Sequence, residues 1–183
     1  MPLLSIIGCE LFKKEIAQVL LKDGAIESLI LVNGKDTDFK KTLEDTGAIV
    51  KAVSADSIPT TLKKSSGFNV IVAIQGVFQD FDNCKLNREI YEKIRFYGNI
   101  SDGILLLYGH GDDELETVLS NFKRSRFYLK SIGSCMDSSS GNSMLLQHGD
   151  KADKREIDQA VVSVYEKLYS DIRAELGLTG QFT

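Results

Sequence analysis

A chain of 183 residues, 43% apolar and 26% charged, is long enough for one domain with a real core and too apolar for a disordered segment. Its net charge of −4, with no basic stripe, argues against nucleic acid as a partner. No apolar run approaches the ~18 residues needed to cross a bilayer, and residues 1–10 lack the basic start of a signal peptide, so a cytoplasmic protein off the membrane is expected. Three cysteines without an export signal do not suggest a disulfide framework; they read as buried hydrophobes, reactive thiols or metal ligands.

Short apolar runs alternate with amphipathic stretches. The run 3–7 predicts a strand closed by Gly8-Cys9-Glu10. Behind it, Leu11, Ile16, Val19 and Leu20 recur at helical spacing, with Lys13, Lys14 and Gln18 opposite and Gly24 as a C-terminal cap. A second strand is predicted over 28–32, ended by Asn33-Gly34. A short helix over 38–45 ends at Gly47; a third strand over 48–53 and a weak helix over 58–64 follow. The β-branched run 69–74 predicts a fourth strand. Leu86, Ile90 and Ile94 lie four apart and predict a helix over 87–96. The long loop before it, 77–85, contains Cys84 and is of a kind that borders ligand sites.

The fifth strand, 103–108, is apolar throughout, as suits a strand buried on both faces of a parallel sheet. Gly109-His110-Gly111-Asp112 ends it, and Leu115, Val118 and Leu119 mark a helix. The sixth strand, 127–132, ends in Gly133-Ser134-Cys135. A Ser-rich stretch follows, with 137–153 the segment expected to move most. Ile157, Val161, Val164, Leu168, Ile172 and Leu176 define a long helix over 155–176, capped by Gly177, which packs on the sheet or supplies a homodimer surface. The alternation implies a mostly parallel, doubly wound α/β sheet of about six strands, one domain over 1–178 with a frayed tail at 179–183.

Three predicted strands end alike, as apolar run, glycine, reactive side chain and acid, at Cys9-Glu10, His110-Gly-Asp112 and Cys135-Met-Asp137. In parallel sheets, ligands sit beyond the carboxyl ends of the strands, where strand order switches direction. Each residue also has a plainer reading: a strand-end cysteine is a small buried hydrophobe, and a loop histidine satisfies its loop. It is the coincidence of three ends that points to a site. Two thiolates and an imidazole suit zinc, iron or cobalt, with one position left for water, substrate or a fourth residue. Asp112, Asp137 and Glu10 are available to orient the imidazole. The same loops, with Gly109, Gly111, Gly133 and Ser134, would let a small-molecule or cofactor ligand approach the backbone. His110 and Cys135 alone also suit a base–nucleophile dyad, with backbone N–H groups near Cys135 for an oxyanion. His148 lies in a polar stretch and reads as solvated.

Two family resemblances are carried by these residues. Ile7-Gly8-Cys9-Glu10-Leu11, Leu107-Tyr108-Gly109-His110-Gly111 and Cys135 with Asp137 resemble the uncharacterised domain-of-unknown-function family number 1638 of anaerobic archaea and bacteria, over about residues 3–141. That family usually has Cys where this chain has His110, and an Arg-containing segment before the last Cys that is absent here. The resemblance implies a metal or corrinoid role linked to methyl transfer. Tyr108-Gly109-His110-Gly111 and Gly133-Ser134-Cys135 resemble the dyad of caspase-like cysteine peptidases of the gingipain and separase type, over about 103–141. That resemblance implies a thiol hydrolase in which Cys9 has no part. A third expectation, from another class, is a non-catalytic dimeric scaffold joined through the 155–176 helix.

Overall fold

The computed structural model describes residues 2–33, 37–45, 47–58, 67–75, 83–107, 113–122, 126–131 and 157–178, with only the backbone at 37, 83–86, 113–116 and 130–131. The chain runs β1 (Leu3–Cys9), α1 (Lys13–Leu21), β2 (Ile26–Val32), α2 (Thr37–Glu44), β3 (Ile49–Val53), β4 (Phe68–Gln75), α3 (Asn83–Gly98), β5 (Gly103–Leu107), α4 (Asp113–Ser120), β6 (Tyr128–Ser131) and α5 (Gln159–Glu175). The strands form one sheet in the order β3-β2-β4-β1-β5-β6, with every pairing parallel. The expected α/β architecture of six parallel strands flanked by helices is therefore present.

Burial follows strand order. The central strands β4, β1 and β5 are the near-continuous apolar runs, and β1 and β5 are buried along their whole length. Residues with neighbours on both sides and helices above and below need apolar side chains at every position, not at alternate ones. At one edge, β3 leaves Ile49 60% exposed; at the other, β6 leaves Tyr128 at 47%.

The crossovers set the layers. From β1 the chain moves toward β3, and from β4 it moves the opposite way, toward β6. Right-handed crossovers then place α1 and α2 on one face and α3 and α4 on the other. The helix contacts agree: α1 packs against α2 and α5, and α3 against α4. Of the stripe read from the sequence, helix α5 buries Val161, Leu168 and Ile172, while Val164 and Leu176 are half-buried and Ile157 stands exposed before the helix begins; Val162, Tyr165 and Tyr169 are buried with them. Asp158 caps it, its Oδ1 accepting from Ala160 N at 2.9 Å and Val161 N at 3.3 Å. Gly177, at φ +69°, ends it in the left-handed turn expected there.

Several expected boundaries move. Strand β1 does not stop at residue 7 but runs through Gly8 to Cys9, whose φ of −81° and ψ of 141° are extended. Gly8 is thus a strand residue, not a sharp exit. Gly24 is not a left-handed cap, because α1 closes earlier through Lys22 N to Val19 O and Asp23 N to Leu20 O. Helix α3 begins at Asn83, so Cys84 lies in a helical turn and not in a loop. A first turn need not bury an apolar face, so periodicity is silent about it. The predicted 58–64 helix lies, after Ile58, outside the described residues, as do 137–153 and the tail. Among the described residues, no helix is long and apolar enough to cross a membrane.

Candidate functional site at the carboxyl edge of the sheet

All six strands point the same way, so their carboxyl ends share one edge. Connections leaving that edge diverge at two places. The chain leaving β1 turns toward β2 while that leaving β5 turns toward β6; likewise β2 leads to β3 while β4 leads to β5. Such a divergence is the usual seat of a ligand in parallel sheets.

The first divergence, between β1 and β5, is where the sequence places its site. Cys9 ends β1, 5% exposed. Gly8 pairs with Leu107 of β5, so His110 follows in sequence three residues after the neighbouring strand's last residue. Next across comes β6, which ends at Ser131, four residues before Cys135 in sequence. The three strands carrying the proposed ligands are consecutive neighbours in the order β1-β5-β6. His110, Cys135, Gly109, Gly111, Gly133 and Ser134 themselves lie outside the described residues, as do Asp112, Asp137 and His148. Among the described residues, no three His, Cys, Asp or Glu side chains gather around a common point.

Cys9 has polar company that sequence reasoning missed. It pairs in register with Gln75, the last residue of β4. Registered residues of parallel strands point to the same face, and alternation puts Cys9 with Ser5 and Ile7. That face carries α3: Ser5 Oγ lies 2.6 Å from Oγ of Ser101, just past α3, and Gln75 Nε2 donates to Glu89 Oε2 of α3 at 2.5 Å. In the sequence Gln75 is only a polar residue closing an apolar run before Gly76, without the preceding glycine and following acid that mark the other strand ends. An amide is neither a nucleophile nor a common metal ligand, so its residue type gives no signal of a site.

Glu89 also lines a cleft of about 270 Å³ at the second divergence, between α3 and the ends of β2 and β4. Its floor is Val32 and Ala73, and Lys93, Phe96 and Tyr97 form its wall. Asn33, with φ at 52°, turns the chain away from β2 at the rim. Burial draws the Lys93 ammonium below its ordinary pKa, an effect that the nearby Glu89 carboxylate opposes. Burial pushes the Tyr97 hydroxyl up to about 12, so it stays protonated at neutral pH. The edge thus runs from an apolar cleft, through Glu89 and Gln75, to the Cys9 thiol.

No protein-family model, curated protein or solved structure matches this chain.

Proposed function

We propose that the protein binds a transition metal or a corrinoid at the β1–β5 divergence through Cys9, His110 and Cys135. The single observation that supports this is strand order. Of six strands, the three that lead to these residues are side by side and deliver their chain ends to one edge. The donor set of two thiolates and an imidazole suits zinc, iron or cobalt, and a bound metal would supply Lewis acidity or a site for group transfer. In this reading Cys9 is the fixed donor, held by a strand buried on both sides, while His110 and Cys135 come from the sequence that follows β5 and β6.

A second reading shares the adjacency of β5 and β6. A His110–Cys135 dyad of a thiol hydrolase would also use neighbouring strand ends, with Cys9 a spectator. One preparation separates the two. Anaerobically purified protein is expected to carry one metal per chain by elemental analysis, and Cys9→Ser is expected to lose it. Metal-free protein whose melting temperature ignores added zinc, iron and cobalt sinks the metal reading. If an electrophilic thiol trap then labels Cys135 alone, and His110→Ala slows it, the dyad replaces it.

A further inference from the structure

Gln75 is 5% exposed, and its side chain is divided in its allegiance. The Nε2 end is committed, donating to the Glu89 carboxylate. The Oε1 end is buried and meets no hydrogen-bond partner among the described residues. The amide cannot be turned over to relieve this, because Oε1 would then face the Glu89 carboxylate, acceptor against acceptor. Glu89 therefore acts as a clamp that sets an unfilled acceptor on one side. A buried carbonyl left without a donor is costly and uncommon in folded proteins.

The residue that carries this acceptor stands beside Cys9 in the sheet. Gln75 and Cys9 are register partners on adjacent strands, at the last position of each and on the face that carries α3. Strand neighbours are about 4.8 Å apart, within the reach of a glutamine side chain. An acceptor fixed there fits a group that brings an N–H or O–H.

From this we infer that Gln75 belongs to the Cys9 site, where its amide oxygen accepts a hydrogen bond from the water or donor-bearing ligand in the metal's open position. The inference rests on the proposed metal reading and deepens it. Gln75 is a positioning residue: it orients what the metal holds, and Glu89 orients Gln75. The requirement selects ligands that carry a hydrogen-bond donor next to the metal-binding atom, such as water, an alcohol, a thiol or an amine. It disfavours ligands that present only acceptors there.

The experiment is a cobalt(II) titration of metal-free protein under anaerobic conditions, followed by the thiolate-to-cobalt charge-transfer absorption. Wild type is expected to show a band that Cys9→Ser weakens. Gln75→Leu is expected to keep the band but raise the Kd by about 10–100-fold, the usual loss when a group supporting a metal site is removed. Glu89→Gln presents an amide that can accept or donate, so it no longer fixes which end of Gln75 faces the site, and it is expected to raise the Kd as well, by less than Gln75→Leu. The metal-free Gln75→Leu protein is expected to melt close to wild type, because it sheds an unpaired acceptor and water can replace the lost donor at the half-buried Glu89 carboxylate. Should that variant not fold, Gln75→Met gives the same reading with a closer shape. A Cys9-dependent band with an unchanged Kd in the Gln75 variant overturns this inference and leaves the metal site standing. A wild-type protein with no Cys9-dependent band overturns both.

Discussion

Gly8 lacks a side chain because α1 occupies the space. A Cβ at this position would collide with Cδ1 of Ile16 and sit 3.4 Å from Cδ1 of Ile74. Ile16 is itself 1% exposed, so it has little room to move aside. Overpacking of this kind typically costs about 1–3 kcal/mol. Gly8→Ala is therefore expected to lower the midpoint of chemical denaturation, and Ile16→Val, which trims the colliding methyl, to restore part of it. Equal stability of Gly8→Ala and wild type would show that the helix shifts freely. The same residue shows what a sequence conceals at this scale. A glycine after an apolar run suggests a turn, yet here it lets a helix approach the strand. The strand continues through Gly8, and Cys9 is its last, buried member. Cys9 was legible as a candidate because its type is chemical. Gln75 and Glu89 were not, because their roles come from a 2.5 Å contact between strand and helix that no spacing records.

Helices α1 and α5 are the pair whose contact closes the chain on itself, and polar groups at each end set their register. At one end Glu15 is fully buried and its Oε1 accepts from the Asp158 backbone N at 3.1 Å, adding to the cap of α5. At the other, Arg173 Nη1 lies 3.1 Å from Asp23 Oδ1, Tyr169 donates to Asp23 Oδ2 at 2.7 Å, and Ala25 N donates to Oδ1 at 3.0 Å. Burial, reinforced by the Asp23 charge and hydrogen bond, pushes the Tyr169 hydroxyl well above its ordinary pKa, so it remains a donor. Breaking a buried pair strands the other charge, at a typical cost of about 3–5 kcal/mol. Asp23→Ala is expected to destabilise the protein on that scale by urea denaturation. Asp23→Leu combined with Arg173→Met, which removes both charges, is expected to recover most of the loss. If the single and double substitutions prove equally harmful, the hydrogen bonds to Ala25 and Tyr169 matter more than the ion pair. The sequence shows this helix as an apolar stripe but leaves its use open. The structure spends the stripe inside the chain, and the exposed face offers Ser163, Lys167, Ser170 and Asp171. A homodimer through α5 would have to be built on that polar face.

For the molecule as a whole, the strands are written in the sequence and their order is not. Apolar runs bounded by glycines mark each strand, because burial on both faces demands them. Order depends on which neighbour each strand finds across a crossover, and β4 inserts between β2 and β1 through pairings with residues more than 40 positions away. That insertion leaves β1 beside β5, so the proposed site was legible as an edge but not as a neighbourhood. Order also sets a hierarchy of stability. Strands β4, β1 and β5 have a hydrogen-bonded partner on each side, whereas β3 and β6 have one. An edge strand can separate after losing one ladder, but a central strand is released only when the sheet comes apart. Native-state hydrogen exchange is accordingly expected to be slowest at Ile71, Ile6 and Leu105, approaching the global unfolding free energy. Val50 and Leu129, on the edges, are expected to exchange by smaller openings that respond weakly to denaturant. The Cys9 end of β1 is expected to exchange with the central group, since a metal donor on a strand that frays would hold its ligand poorly. Rapid exchange at Ile7 and Cys9 under conditions that protect Ile71 would place the proposed site on a mobile strand end and remove the rigidity that the metal reading requires.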